Sequence, residues 1–341
     1  MLTCPQFSPA PLFNVKNDAP LEVQEDYNLF FEDTFNNPLQ PVDPAKWSTR
    51  FLWGPGLTIN NEEQYYVDVL GGDTTNQNPF SIDPATGRLL ITAAPITGTK
   101  PVTTNGLDGG QNYTSGILTT REFGCFTYGY VEVCAFVPCG MDGAWPAFWA
   151  LNCRYYNNAS EKAIMEGIAN PTPHFNPEID FSELVQGNNN SLNCSNNALH
   201  YFSGDQQSST DYRRWSLDEG GFRSYNINTQ SVDSNFNIYQ DCNGDDQFLG
   251  LPADCNPSAC GSLQTFGMHW CPEFLKYYRN GQVVNCITGA ADIIPDQEMY
   301  LLINLAVGGN YPFGNPPSQL ADPASYPAAI EIAYARIYTK P

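Results

Sequence analysis

Only three histidines occur in 341 residues, and Lys and Arg together number 15 against 36 Asp and Glu. The formal charge of -21 repels nucleic acid, anionic lipid and heavily sulfated polysaccharide, so none of these is an expected partner. Long hydrophobic runs are missing too: Met299 to Val307 is broken by Asn304 and is far too short to cross a bilayer as a helix, so no membrane partner is expected. Neither GxSxG nor HExxH occurs, which removes the usual signatures of serine hydrolases and zinc proteases. Apolar spacing at helical period is nearly absent, which argues against an all-α or α/β fold.

What is present is aromatic surface and cysteine. Aromatics reach 13% of the chain while charged residues make up only 15%, the balance of a folded domain and not of a disordered tail. The 11 cysteines never fall in the CxxC spacing of a zinc site and point to disulfides formed in an oxidising compartment. Cys134 with Cys139 and Cys255 with Cys260 are close enough in sequence to close short loops, and the odd count leaves at least one thiol unpaired or bonded between chains. Sequons at Asn112, Asn158, Asn189 and Asn193 agree with export and glycosylation, so a secreted, extracellular protein is expected. Met1 to Asn14 is proline-rich and interrupted by polar residues, so any export signal is expected to lie upstream or to have been removed.

From about Tyr27 onward, short β-branched and aromatic runs alternate with Gly, Pro, Asn and Asp clusters, which predicts strands and turns. Candidate strands are Gln64 to Val69, Arg88 to Ala93, Tyr128 to Val137, Leu275 to Tyr278 and Ile330 to Tyr338. Asn280-Gly281 between two such runs predicts a tight hairpin, because the turn needs positive φ at both residues. With no repeat and no linker, the pattern predicts one all-β domain over 27–341, a jelly-roll sandwich of two antiparallel sheets, with a closed barrel as the alternative. Residues 1–26 read as an N-terminal surface arm. The stretches 152–177 and 188–260, rich in Asn, Gly, Ser and Cys, read as long loop insertions.

The segment Glu178-Ile179-Asp180-Phe181-Ser182-Glu183-Leu184 holds three carboxylates within six residues. Strand alternation puts Glu178 and Asp180 on one face and Ile179 and Phe181 on the other, which leaves Glu183 on the wrong side. A β-bulge at Ser182 or a neighbour restores the parity, bringing Glu183 round to the other acids while Leu184 returns to the core. Residues two apart on one face stand roughly 6–7 Å apart at the backbone, so Glu178 and Glu183 can approach the roughly 5–5.5 Å of a retaining glycosidase pair. Crowding three acids raises the cost of ionising all of them, which supplies a proton donor near neutral pH. A solvated acidic strand or a calcium site would share the bare spacing.

The acids do not stand alone. Upstream lie Asn60-Asn61-Glu62-Glu63-Gln64-Tyr65-Tyr66 and Trp145-Pro146-Ala147-Phe148-Trp149; downstream lie Leu199-His200-Tyr201, Trp270 and Asn304-Leu305-Ala306-Val307-Gly308-Gly309. In this order the chain resembles glycoside hydrolase family 16 from about Phe30 to Tyr338, and the bulged acid motif resembles its laminarinase-like branch. The resemblance implies a jelly-roll with a substrate cleft on its concave face and retaining double displacement. It implies Glu178 as nucleophile, Glu183 as acid/base and Asp180 as the acid that tunes the nucleophile. Trp145 and Trp149 match aromatic positions near the sugar subsites, Asn60 opens the early family segment, and His200 matches a histidine near the acid/base; all four are expected to bind substrate. His269 departs from the pattern and is given no role. Many relatives hold a structural calcium, but Ala333 stands where a common family pattern has Asp, and loss of a hard oxygen ligand weakens that expectation, so no cofactor is expected.

The leading expectation is therefore a monomeric endo-hydrolase of β-1,3-glucan or of a mixed β-1,3-linked glucan. A transglycosylase, an agar- or carrageenan-type galactan hydrolase, and a non-catalytic glucan-binding protein on the same fold are the alternatives. The acidic charge disfavours sulfated galactans, and retention of all three acids disfavours the binding protein.

Overall fold

A computed structural model describes residues 27–51, 58, 60–73, 77–97, 111–155, 174–187, 195–203, 212–218, 221–226, 231–232, 259–288, 294–314 and 317–341. The proposed arm and Cys255 lie outside these residues.

Two sheets carry the fold. The first contains β1 (Asn28–Asp33), β2 (Gln64–Tyr66), β3 (Phe80–Ile82), β4 (Leu89–Pro95), β5 (Tyr113–Ser115), β7 (Gly129–Phe136), β14 (Leu263–Cys271), β15 (Phe274–Arg279), β16 (Gln282–Thr288) and β18 (Ala328–Thr339). Its order is β16-β15-β14-β7-β18-β4-β5-β2, with β1 paired to β18 and β3 to β4. The second contains β6 (Ile117–Thr119), β8 (Ala144–Asn152), β9 (His174–Glu183), β10 (Asn196–Ser203), β11 (Tyr212–Asp218), β12 (Gly221–Asn226), β13 (Ser231–Val232) and β17 (Met299–Val307). It runs β13-β12-β11-β10-β9-β8-β17-β6. Among the described residues the only α-helix is the four-residue α1 (Asn310–Phe313), as the missing helical period predicts.

Period-two alternation builds the core between the sheets. On β8, Phe148 and Ala150 are buried inward while Trp145, Trp149 and Leu151 are half-buried on the other side. Phe148, Ile179, Phe181 and Leu199 from the second sheet share one cluster with Val131, Phe266, Met268, Trp270 and Ile337 from the first. Phe148 and Phe266 meet with ring centroids 5.4 Å apart. Each such side chain contributes about 1.5–3 kcal/mol on burial. The predicted hairpin is present, with φ of 52° at Asn280 and 73° at Gly281.

Three expectations need correcting. The strand expected over Gln64 to Val69 ends at Tyr66; Asp68 then turns the chain by accepting from Gly71 N at 3.0 Å and Thr49 Oγ1 at 2.8 Å. The stretch 188–260, expected as a loop insertion, contains β10, β11, β12 and β13. Its polar composition hides the strands because Asn197 faces inward and is 1% exposed, which breaks the apolar alternation that marks a strand. Cys139 pairs with Cys260, so neither the short loop from Cys134 to Cys139 nor that from Cys255 to Cys260 is closed, while Cys125 pairs with Cys153. Cys134 lies within β7 whereas Cys139 lies beyond its end, so the thiol reaches across to the segment that enters β14. Closing so long a loop removes about 4–5 kcal/mol of denatured-state entropy in the chain-entropy account. Of the four sequons only Asn112 is described, and its Nδ2 donates to Glu63 Oε2 at 3.0 Å.

Candidate active site

The acids are brought together by the irregularity in β9. Against β8 the register runs Trp149 to Asp180 and Phe148 to Ser182, which leaves Phe181 as the extra residue. Against β10 it runs Ala198 to Asp180 and Asn196 to Glu183, again three positions against two. Phe181 and Ser182 are both fully buried, at 1% and 0% exposure. Two successive residues thus turn inward, and Glu178, Asp180 and Glu183 all line one cleft. The expected bulge is borne out, with Phe181 the residue skipped on the β8 side.

A bulge leaves backbone groups without their ladder partners, and buried ones must be satisfied elsewhere. Asn197 Nδ2 donates to Phe181 O at 2.7 Å. Asn285 Nδ2 on β16 donates to Asn197 Oδ1 at 2.6 Å, so this amide chain crosses the core from the opposite sheet. Ser195 Oγ and Ser182 Oγ lie 2.8 Å apart, and Tyr277 OH donates to Ala198 O at 3.1 Å. Burial, and secondarily the negative charge of Asp180, push the Tyr277 phenol well above its usual pKa.

Asp180 is 4% and Glu183 is 6% exposed, so both carboxylates need hydrogen-bond partners. Trp145 Nε1 donates to Glu183 Oε1 at 3.0 Å. His200 Nε2 lies 3.0 Å from Asp180 Oδ2 and 3.9 Å from Glu178 Oε1. The antiparallel register sets His200 opposite Glu178, so it attends the Glu178 and Asp180 end of the row. That differs from the expectation that it sits near Glu183. Donor atoms of Glu178, Asp180 and His200 lie within 4.8 Å of one another, which makes them the trio among the described residues able to hold a cation; the contact between His200 and Asp180 accounts for their proximity without one.

Trp149 also lines the cleft, its ring fixed from below. Trp149 Nε1 donates to Asn304 Oδ1 at 2.7 Å, and Asn304 Nδ2 donates to Tyr66 OH at 2.9 Å. Phe51 meets the Trp149 ring edge-on at 6.0 Å. Asn60 reaches the same cleft, its backbone N–H donating to Glu62 Oε2 at 2.7 Å. Glu178, Asp180, Glu183, Trp145, Trp149 and Asn60 therefore line one cleft, and His200 reaches it through Asp180 and Glu178 without lining it. Phe51, Glu62, Tyr66 and Asn304 also line the cleft and were not singled out. Asn304 had a visible signal, as the one amide inside β17, whose nine residues are all buried.

Gly308 and Gly309, with φ of 67° and 90°, turn the chain out of β17. A Cβ on Gly308 would collide with the Glu63 carboxylate. The turn lets Asn310 N donate to Asn60 O at 2.8 Å. It also sets Tyr311 edge-on to Trp145, with centroids 5.2 Å apart and planes at 88°.

The chain matches no family model. It is 28% identical over 314 residues, 91% of its length, to an endo-1,3-1,4-β-glycanase of Rhizobium meliloti, and spans 51% of that protein's length. Its fold matches the laminarinase of Rhodothermus marinus with a TM-score of 0.58 at 22% identity, covering 92% of this chain and 98% of that one. It also matches a non-specific endo-β-1,3(4)-glucanase from family GH16 with a TM-score of 0.57 at 24% identity, covering 93% and 92%. The chain is thus similar to a β-glycanase along 91% of its length and shares the jelly-roll fold of solved laminarinase structures.

Proposed function

We propose that this protein is a retaining endo-β-glucanase that cleaves β-1,3-glucan of the laminarin type or a mixed β-1,3-linked glucan. The observation that carries the reading is the single cleft wall on which Glu178, Asp180 and Glu183 meet across the bulge. Glu178 attacks the anomeric carbon as Glu183 passes its proton to the departing glycosidic oxygen, giving a glycosyl ester and a free sugar end. Glu183, now a carboxylate, takes a proton from water; the resulting hydroxide equivalent displaces Glu178 and restores both acids. Asp180, 3.0 Å from His200 Nε2, places a second negative charge beside the Glu178 carboxylate; that like charge raises the cost of leaving Glu178 ionised and so favours its attack on the anomeric carbon, where the charge is lost as the ester forms. Trp145 and Trp149 offer aromatic surface to sugar C–H faces.

Names of the similar proteins support the glucan, and the acidity of the chain supports a neutral one. Export and a monomeric state are the accompanying proposals, export being supported by the two disulfides among the described residues and by the sequons. The deciding experiment presents laminarin, mixed-linkage glucan, agarose and carrageenan to the purified protein and follows product size and anomeric configuration. Short β-configured oligosaccharides from laminarin are expected. α-Configured first products overturn the retaining mechanism, and activity on agarose or carrageenan alone overturns the substrate.

A further inference from the structure

Trp145 makes two contacts that a simple stacking platform does not need. Its indole N–H points at Glu183 Oε1 from 3.0 Å, and its ring is braced edge-on by Tyr311. Glu183 is 6% exposed, so water cannot readily substitute for that donor. Trp145 is two residues before Ala147, the β8 partner of Glu183, and stands on the same cleft-lining side.

We propose that Trp145 is a positioning residue for Glu183. The indole donor occupies Oε1 and cannot accept a proton in return, because indole nitrogen is a donor only. The transferable proton is thereby confined to Oε2, and the carboxyl plane is held while the proton moves. In the first half-reaction the Oε2 proton goes to the leaving oxygen and Oε1 keeps its hydrogen bond. In the second, Oε2 takes the proton from water and Oε1 again stays engaged. The donor bonds more strongly to the carboxylate than to the acid, so its removal is expected to favour the protonated form of Glu183. A sugar resting on the Trp145 face would tilt or steady the same ring, so filling that subsite and aiming the acid become one event. This inference rests on the assignment of Glu183 as acid/base.

The test compares wild type with Trp145→Phe, which keeps an aromatic face and removes the donor. The basic limb of the kcat/KM profile is expected to move to higher pH by about half to one unit, and kcat is expected to fall about tenfold or more with KM changing by less. If Trp145→Phe loses the native circular dichroism, benzothienylalanine at position 145 supplies an indole-shaped ring without the N–H, and the same shift is expected. An unmoved basic limb, or a rise in KM with kcat preserved, overturns the proposal and leaves Trp145 as a stacking surface. Absence of wild-type turnover on every glucan tried would instead overturn the functional reading on which it rests.

Discussion

Asn285 on one sheet and Asn197 on the other join through side-chain amides at 2.6 Å, and Asn197 passes the contact to the carbonyl of Phe181 at 2.7 Å. The bulge that aims Glu183 is therefore tied to the far side of the sandwich. Removing Asn197 leaves the Phe181 carbonyl and the Asn285 amide to find other partners in the core, at about 1–3 kcal/mol for each that fails. Asn197→Ala is expected to lower both the denaturation midpoint and kcat, because small displacements of a catalytic group cost about 100-fold per ångström in the worst cases. Asn285→Ala keeps the bond to Phe181, so it is expected to lose stability while retaining most of its turnover. Unchanged kcat in Asn197→Ala, measured where the variant is folded, would show that the amide acts only on stability.

The two terminal carboxylates are expected to fail differently. Glu178→Gln removes the nucleophile and is expected to abolish turnover on every substrate. Glu183→Gln is expected to lower activity on glucan by about 100- to 10,000-fold while still forming the glycosyl ester from an aryl glycoside with an activated leaving group, which departs without a proton. Rapid-mixing detection of the released phenol checks this. Equal loss on both substrate types in Glu183→Gln would reverse or void the assignment.

Asn304 holds Trp149 through a 2.7 Å bond and is itself tied to Tyr66 at 2.9 Å. Asn304→Leu keeps the volume in β17 and removes both bonds. It leaves the indole N–H in a partly buried site, at about 1–3 kcal/mol. The expected result is a rise in KM larger than any fall in kcat, together with a smaller change in tryptophan fluorescence on adding glucan oligosaccharides than in the wild type. A pure stability change with unaltered KM would remove Trp149 from the substrate surface.

Much of this site is legible in sequence because its chemistry is written in parity. Three acids that cannot share a strand face without one inserted residue demand a bulge, and the register supplies it at Phe181. The hairpin at Asn280-Gly281 is legible for a similar reason, since few residues tolerate positive φ. Asn197 and Asn285 were not legible: an amide inside a core looks like loop composition until its partner on another strand is known. The disulfides were hidden by the same non-local geometry, since Cys139 and Cys260 are 121 residues apart in sequence. Short spacing favoured Cys134, which the strand carries away.

Alkaline stability follows from the buried phenols. Tyr66, Tyr130 and Tyr277 are held well above the usual tyrosine pKa of 10.0, by burial first; the acids Glu62, Glu132 and Asp180 respectively add to the effect. Below about pH 10 both folded and unfolded chains keep these protons, so stability does not change on their account. Above it the unfolded chain loses them while the folded chain does not, and each such group removes about 1.4 kcal/mol of stability per pH unit. Three together remove about 4 kcal/mol per unit, enough to exhaust a net stability of about 5–15 kcal/mol within a few units. Phenolate absorbance is therefore expected to show an early fraction from exposed tyrosines and then a steep rise coincident with loss of circular dichroism. Complete, smooth titration centred near pH 10 with the dichroism intact would mean that these phenols are not sealed as the fold places them.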